Sequence, residues 1–421
     1  MRAWLVVSML FVLMAINYLD KVVLGLVAAP LMHELHLSAA QYGTLAGSFF
    51  LLFGITGVVG GFVANRVPCR WLLLGMSVLW ALAQLPVIYG STLGALIASR
   101  LLLGAGEGPA QPVAIHASYK WFRDEQRNLS VTVFQQGAVC GTVAAGFLVP
   151  FVNERFGWRA NFLVLGALGL VWSLLWLCVG REGPLAAELP GTGPDAPAAS
   201  VTRHIRYRVL LTDTTIAFTI ALHFASYLLL SLTVTWLPAY LNQGLGYAPR
   251  LAGQLFSAIV VFCAPVGLVL AAWSQRMMTR GVPSRVARGR FICGCLGSAG
   301  LLLVALTTLA PAAAVKVGLI GLAVSTMPVI SALGPAMIAE IVPSAQRGAV
   351  LGIEYSVAWL AGVIAPPAVG WMIRAADNNI ATGFEHGLLV VGVLLVAITL
   401  GASAALNPER SAIKMTRRTP V

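Results

Sequence analysis

The sequence predicts an all-α integral membrane protein whose twelve transmembrane helices form two pseudo-symmetric bundles of six. Three observations predict this class. Hydrophobic residues make up 58% of the 421 residues and charged residues only 10%, whereas soluble domains carry about 25% charge. Many apolar runs reach the length of roughly 20 residues that crosses a bilayer. Short motifs of the first half also recur, in the same order, in the second half.

Apolar runs account for most of the chain. In lipid, backbone polar groups find partners only within the chain, so each run is predicted to be a helix. The first run follows Met1-Arg2 as in a signal peptide, but its apolar character continues to Pro30, and we expect it to be retained. In chain order, spans 1 to 12 are predicted over 3–30, 40–64, 71–90, 93–116, 128–152, 158–180, 210–240, 250–274, 290–309, 313–340, 348–373 and 386–406.

Positive charge is concentrated on one side of the predicted membrane. The net charge is +12, and most Lys and Arg residues fall at the N-terminus, in the even-numbered loops or in the C-terminal tail. This positive-inside pattern predicts that both termini are cytoplasmic. The basic residues then serve topology and contact with anionic lipid, and we expect no nucleic-acid partner.

The longest polar interruption divides the chain into two halves. It covers 181–209 and is rich in Gly, Pro and Ala, a composition typical of flexible linkers. We therefore predict an N-terminal six-helix bundle over 1–180, a cytoplasmic linker over 181–209, and a C-terminal six-helix bundle with a cytoplasmic tail over 210–421.

The two halves share three motifs at similar offsets. The matching pairs are 145–150 with 361–366, 108–110 with 334–336, and 126–127 with 346–347. Three matches in order indicate a duplicated six-helix unit. Parallel repeats of this kind are typical of transporters whose substrate site lies near the bilayer midplane between the repeats.

Four charged residues lie inside apolar spans. Asp20 and Lys21 are in span 1, and Arg100 and Glu107 are in span 4. Each charge at this depth costs roughly 2.5–3.5 kcal/mol, so such residues usually have a function. From the rise of about 1.5 Å per helical residue, Asp20 and Arg100 come to similar depths. We expect Asp20 to pair with Arg100, and Lys21 with Glu107.

These pairs have two interpretations. If an anionic substrate takes over the basic residue, the freed carboxylate is left buried without a positive partner and takes up a proton. Anion and proton then move together. The alternative is that the pairs are static and lock span 1 to span 4.

Four segments carry a resemblance to a known family: Asn17 to Lys21, Arg100 to Pro109 followed by Gln111-Pro112, Trp121-Phe122 with Glu125 and Arg127, and Trp236 to Leu241. On these segments the chain resembles the anion:cation symporter family of the major facilitator superfamily, over nearly its whole length. The resemblance implies the major facilitator fold, a monomer in a bacterial inner membrane, and proton-coupled import of a sugar acid, hydroxy acid or aromatic acid by alternating access. It also implies that Asp20 and Glu107 couple protons, that Arg100 organises them, and that Lys21 binds the substrate carboxylate.

The chain departs from the family pattern at two relevant positions. Lys21 stands where the family usually has Arg, and Lys lacks the planar fork that grips a carboxylate with two hydrogen bonds. Trp359 stands where the family often has Asn. An aromatic residue there favours a flatter, less hydroxylated substrate than a sugar acid.

Other polar residues within the spans are candidates for two roles. Substrate contact or interhelical hydrogen bonding is expected of Asn17, Tyr18, Gln135, Gln136 and His223, and His223 is also a candidate proton relay. Gate candidates are Arg66, Arg70 and Glu354. Glu354 is expected either to pair with a loop arginine at the inner gate or to line the cavity.

Competing classes of function find less support. A proton-driven exporter of the same fold is the alternative within transport, and sodium is an alternative coupling ion. A membrane enzyme would need a motif such as HExxH or GxSxG, and the sequence has neither. A receptor would need a signalling module, and no loop is long enough to form one. We expect no enzymatic activity, no cofactor and no metal site.

Overall fold

The computed structural model describes residues 2–63, 67–90, 92–122, 124–185 and 205–417. Over these ranges the chain is helical, with π-helical turns at Tyr240–Gly244 and Arg285–Arg290. The α-helices are α1 (Arg2–Leu26), α2 (Ala28–Glu34), α3 (Ala39–Val63), α4 (Cys69–Ala83), α5 (Leu85–Tyr89), α6 (Leu93–Glu107), α7 (Ala110–Tyr119), α8 (Asp124–Phe156), α9 (Trp158–Val179), α10 (Tyr207–Leu211), α11 (Thr214–Thr235), α12 (Leu237–Ala239), α13 (Pro249–Thr279), α14 (Phe291–Thr308), α15 (Ala313–Ser325), α16 (Pro328–Ile341), α17 (Ser344–Ala375), α18 (Ile380–Ala405) and α19 (Pro408–Arg417).

The helices confirm the predicted fold class. Within the described ranges, 10 helical stretches are long and apolar enough to cross a membrane. The two other predicted spans correspond to α3 and to the pair α6–α7, in which the helix is interrupted at Gly108 and Pro109. The proline cannot donate a helical hydrogen bond, which accounts for the break.

The chain divides into two compact units. The first comprises Met1–Ala198 with Val234–Ala258, and the second comprises Ala199–Thr233 with Ile259–Val421. The first unit thus includes the end of α11, all of α12 and the start of α13. Most of the predicted linker lies outside the described residues, and the bundle boundaries drawn from the sequence stay a prediction.

Helix α1 is the packing centre of the first unit. Helix α8 lies so close to it that a Cβ atom at Gly137 would collide with the carbonyl oxygen of Phe11. On another side of α1, the Trp172 indole of α9 donates to the Met9 carbonyl at 2.8 Å. These contacts hold the polar residues of α1 at a defined rotation.

The Trp236 to Leu241 motif closes one end of the first unit. Trp236 is fully buried, and its ring packs edge-on against Tyr42 of α3 with the ring centres 4.8 Å apart. The Tyr42 hydroxyl lies 2.9 Å from the Thr235 carbonyl oxygen and 3.2 Å from that of Leu24. The end of α11 is thereby joined to α1 and α3.

In the second unit, α19 is tied to the start of α11. The Ser411 hydroxyl donates to Asp213 Oδ1 at 2.8 Å, and the Lys414 ammonium lies 3.6 Å from Asp213 Oδ2. Asp213 also accepts from the backbone N–H of Thr215 at 3.0 Å, which caps α11. Asp213 is buried, so these contacts supply the partners that its charge needs.

Candidate functional site

Helices α1 and α6 bring the predicted charges together in the first unit. Asn17, Asp20 and Lys21 are three and four residues apart and so share one face of α1. Arg100 and Glu107 are separated by two turns of α6. Asp20, Arg100 and Glu107 are each at most 2% exposed. We call these five residues, together with Gln84, the polar cluster.

Lys21 bridges the two helices, as the sequence predicts. Its ammonium lies 3.9 Å from Glu107 Oε2 and donates a hydrogen bond to Asn17 Oδ1 at 2.7 Å. The ammonium also lies 4.2 Å from the ring centre of Tyr18 and 4.7 Å from that of Phe53. The lysine is therefore held mainly by an amide and two aromatic faces, and its contact with Glu107 is a long one.

The expected pair between Asp20 and Arg100 is not formed. Asp20 Oδ2 instead accepts a hydrogen bond from Gln84 Nε2 at 2.7 Å. Arg100 keeps an electrostatic interaction with both carboxylates, but its guanidinium stacks over the Phe162 ring, 5.3 Å from the centre. The physical reason is that Gln84, at the junction of α4 and α5, reaches the Asp20 carboxylate directly.

Gln84 is the member of the polar cluster that sequence reasoning missed. It is 1% exposed and lies two residues before Pro86, where the helix of predicted span 3 is interrupted. A polar residue close to a proline inside an apolar span could have identified Gln84 as a candidate. A proline interrupts the helix, and the backbone polar groups left unpaired there need polar partners.

The polar cluster contains an unusual number of unpaired buried atoms. Within the described ranges, these atoms make no hydrogen bond of normal geometry: the acceptors Asp20 Oδ1, Gln84 Oε1, Glu107 Oε1 and Glu107 Oε2, and the donors Asn17 Nδ2, Arg100 Nη2 and neighbouring Trp80 Nε1. Each such atom costs about 1–3 kcal/mol. Unsatisfied buried polar groups in a native protein call for an explanation, such as a function or an exchangeable partner.

The remaining candidates of the first unit lie on α1, α4 and α8. Tyr18 and Gln135 are half-buried and Gln136 is exposed. Arg70 lies at the start of α4, where its backbone N–H donates to Glu182 Oε1 at 2.9 Å and its Nη2 to the Leu177 carbonyl at 2.9 Å. Arg66 lies outside the described residues.

Glu182 also binds Lys120, just after α7. The Lys120 ammonium donates to Glu182 Oε2 at 2.6 Å. Burial lowers the pKa of Lys120, but the hydrogen bond and the charge of Glu182 outweigh burial, and the net pKa is above its ordinary value. Together with Arg70, this contact joins the ends of α4, α7 and α9 on the side predicted to be cytoplasmic.

The second unit places His223 and Glu354 in direct contact. His223 Nδ1 lies 3.0 Å from Glu354 Oε1, and both side chains are buried. The partner of Glu354 is thus a histidine and not the loop arginine that the sequence suggested. Trp359 lies one turn further along α17, with its ring centre 6.3 Å from that of Tyr355.

A metal site finds no support in the described part of the chain. There, no group of three or more His, Cys, Asp or Glu side chains is arranged to hold a metal ion.

Known proteins similar to this chain are transporters. The chain is 27% identical to the hexuronate transporter of Bacillus subtilis over 415 residues, covering 96% of this chain and 94% of that protein. It is 28% identical to the D-galactonate transporter of an Escherichia coli O6:H1 strain over 313 residues, 70% of this chain and 72% of that protein.

Solved structures agree on the fold. A bacterial homologue of the human lysosomal transporter Spinster, in an inward-facing and unoccupied conformation, superposes with a TM-score of 0.80 at 17% identity, covering 98% of each chain. The family model of the Major Facilitator Superfamily matches residues 10–333. The chain therefore belongs to the Major Facilitator Superfamily and is a multi-pass membrane transport protein.

Proposed function

We propose that this protein is a secondary active transporter that imports an organic acid anion together with protons by alternating access. The observation that carries the proposal is the state of Glu107: a fully buried carboxylate, 3.9 Å from one lysine. It interacts with the Asn17 side chain and with Arg100, but neither of its oxygens has a hydrogen bond of normal geometry in the described structure. A carboxylate in this setting gains much from binding a proton, because protonation removes a buried charge.

The polar cluster offers a simple exchange of partners. Lys21 is the most accessible of the charged groups, with 17% of its side chain exposed against none of the Glu107 side chain. A substrate carboxylate that binds the Lys21 ammonium draws positive charge away from Glu107, which then takes up a proton. Arg100, with a free Nη2 donor, stays beside both acids and holds the charge balance of the cluster.

Asp20 is proposed as the second proton-coupling acid. One of its oxygens accepts a hydrogen bond from Gln84, and the other makes no hydrogen bond within the described ranges. A proton on the free oxygen would leave the hydrogen bond from Gln84 in place. Asp20 can therefore change its charge without losing its position, whereas a static ion pair would require that both partners stay charged.

The relatives support an acid as the substrate. Two of them are named for hexuronate and D-galactonate, so an organic acid anion is proposed here as well. Asn17, Tyr18 and Gln135 or Gln136 are proposed as substrate contacts from the first unit, and Trp359 from the second. We further propose a monomer in a bacterial inner membrane, with both termini cytoplasmic and Arg66 and Arg70 at the inner gate.

Proton-coupled import is testable in one experiment. Purified protein is reconstituted in liposomes that contain a pH-sensitive dye, and sugar acids, hydroxy acids and aromatic acids are added outside one at a time. Internal acidification with one class of anion supports symport and identifies the substrate class. Internal alkalinisation on anion entry indicates proton exchange, the behaviour expected of the exporter alternative. Anion uptake without any pH change, but dependent on external sodium, would contradict proton coupling.

A further inference from the structure

A chain of three polar residues crosses the second unit. Ser331 of α16 is exposed, and its hydroxyl lies 3.3 Å from His223 Nε2 on α11. The other ring nitrogen, His223 Nδ1, lies 3.0 Å from Glu354 Oε1 on α17. The chain thus runs from an exposed hydroxyl, through both nitrogens of one imidazole, to a carboxylate that is 0% exposed.

Glu354 has little else to balance its charge. Its second oxygen, Oε2, is buried without a hydrogen bond among the residues that the structure describes. Besides each other, the two side chains have a titratable neighbour in Tyr355, whose ring packs edge-on against His223 with centres 5.1 Å apart. The facing helix α16 offers Ser331 and the bare backbone of Gly334, where a Cβ atom would come within 3.1 Å of Glu354 Oε1.

We propose that His223 and Glu354 form a second proton-binding site, in the second unit, that is loaded from the exposed side through Ser331. The Ser331 hydroxyl donates its proton to His223 Nε2 and takes up another proton from the solvent on its exposed side. His223 releases the proton of Nδ1 to Glu354 Oε1. One proton is gained, the imidazole ends neutral in its other tautomer, and the buried carboxylate becomes a neutral acid.

Physical chemistry favours this direction of loading. A lone buried carboxylate is costly, and a carboxylic acid hydrogen-bonded to a neutral imidazole carries no net charge. Histidine suits the relay because each ring nitrogen can donate or accept according to the tautomer. The unpaired oxygen of Glu354, Oε2, then belongs to a neutral acid and no longer shares a buried negative charge.

The role of the site in coupling rests on the proposed function, but proton binding itself does not. If the protein imports an anion with protons, the pair adds one proton to those carried by the polar cluster. The charge moved per anion then depends on Glu354, and membrane voltage drives transport to that extent.

Infrared difference spectroscopy tests the proton site without transport. Full-length protein in lipid is compared between acidic and neutral buffer, and the C=O stretching band of protonated carboxylic acids is recorded. Glu354→Gln is expected to remove one component of this band, whereas Glu385→Gln, which removes a carboxylate that is ion-paired with Lys316 at 2.6 Å, leaves it in place. A spectrum that is the same in Glu354→Gln and wild type would overturn the proposal.

Two further variants guard against misfolding and test the path. His223→Asn keeps the Glu354 carboxylate and a donor near the position of Nδ1, and is expected to shift the Glu354 component; an unshifted component would overturn the pairing. Ser331→Ala is expected to slow proton uptake, which is measured by stopped-flow mixing with a pH dye. The intensity of the Glu354 infrared band should not change. An unchanged rate would overturn the path through Ser331.

Transport then separates this inference from the proposed function. In voltage-clamped liposomes, Glu354→Gln is expected to carry one proton fewer per anion than wild type, read from the voltage at which net flux reverses. An unchanged reversal voltage would overturn the role in coupling. If wild type moves anion without protons, the proposed function fails, while the infrared band of Glu354 still reports its proton.

Discussion

The Lys21 ammonium stands 3.9 Å from Glu107 Oε2, while the hydrogen bond it donates goes to Asn17 at 2.7 Å. The carboxylate therefore depends on the lysine, together with Arg100, for its charge balance, and the lysine does not depend on the carboxylate for its position. This asymmetry suits a coupling pair, because the lysine can bind a second anion without moving far.

Replacing Glu107 by Gln is expected to abolish accumulation and to spare exchange. For one proton with one monovalent anion, a gradient of one pH unit supports about tenfold accumulation, since about 1.4 kcal/mol corresponds to a factor of ten. In the variant, the anion can bind Lys21 and leave it without a proton moving at position 107. Transport is then no longer tied to the proton gradient, even though Asp20 and Glu354 can still bind protons, so accumulation should fall to a ratio of about one. Proteoliposome uptake under an imposed gradient, beside counterflow of labelled substrate, measures both activities.

Glu385→Gln is the matched control for this experiment, because it removes a carboxylate that is paired with Lys316. It should accumulate substrate like wild type. Wild-type accumulation by Glu107→Gln itself would exclude Glu107 as a coupling acid.

Replacing Lys21 should separate charge from geometry. Lys21→Gln removes the cation that faces the substrate carboxylate, and the KM for the anion is expected to rise about tenfold, or about 1.4 kcal/mol. Lys21→Arg keeps the charge and introduces the side chain that is usual at this position in the anion:cation symporter family, which the chain resembles. The KM should therefore stay within about threefold of wild type. Initial rates of uptake against substrate concentration give both values, with Lys316→Gln as control.

Truncating Gln84 should destabilise the first unit. Gln84→Ala removes the hydrogen bond to the buried Asp20 carboxylate, and a hydrogen bond to a charged group contributes about 1.5–3 kcal/mol to the free energy of unfolding. The measurement is thermal unfolding of the purified protein. A double-mutant cycle with Asp20→Ala should show that the two losses are not additive, and additive losses would mean that the two side chains act independently. Gln136→Ala, at an exposed position of α8, should change the stability by less than about 0.5 kcal/mol.

The C-terminal end of α2 should give the protein a measurable dependence of stability on acid. Glu34 accepts hydrogen bonds from Arg159 and from the Trp158 indole, and the Arg159 hydrogen bond is the main reason that its pKa lies below the ordinary value of 4.5. A lowered folded-state pKa stabilises the fold above 4.5, and this stabilisation is lost as the pH falls through the folded-state value. Because half of the Glu34 side chain is exposed, the effect should be below about 1 kcal/mol.

The contribution of the Glu34 charge to stability is measured by thermal unfolding of Glu34→Gln and of wild type, from neutral pH down to pH values below the folded-state pKa. The two proteins should differ at neutral pH and converge in acid. A difference that persists in acid would mean that Glu34 acts through packing and not through its charge.

Most of the fold could be predicted because its causes are local. Apolar runs of bilayer length become helices whatever they pack against, so the helical class and the number of spans followed directly. The contact of Lys21 with Glu107 followed from the helical rise, which determines depth. Even the interruption between α6 and α7 has a local cause, because it results from two adjacent residues, Gly108 and Pro109.

The partners of the buried acids could not be predicted in the same way. Whether Asp20 meets Arg100 or Gln84 depends on how α4 and α6 are rotated about their own axes, and that rotation is set by packing over many distant residues. His223 and Glu354 are 131 positions apart. The depth of His223 and Glu354 in the membrane, which is all that the helical rise gives, left each of them with several possible partners.

The network at Asp213 has a consequence for how the chain is made. Its partner Ser411 lies 198 positions further along the chain, and a domain generally folds as a unit, with N-terminal domains folding first during synthesis. Until 408–417 has been synthesised, the Asp213 carboxylate at the base of α11 has neither Ser411 nor Lys414. Assembly of the second unit is therefore completed only after 408–417 has been made, and a stop codon placed before Ser411 should leave Asp213 buried without these two partners.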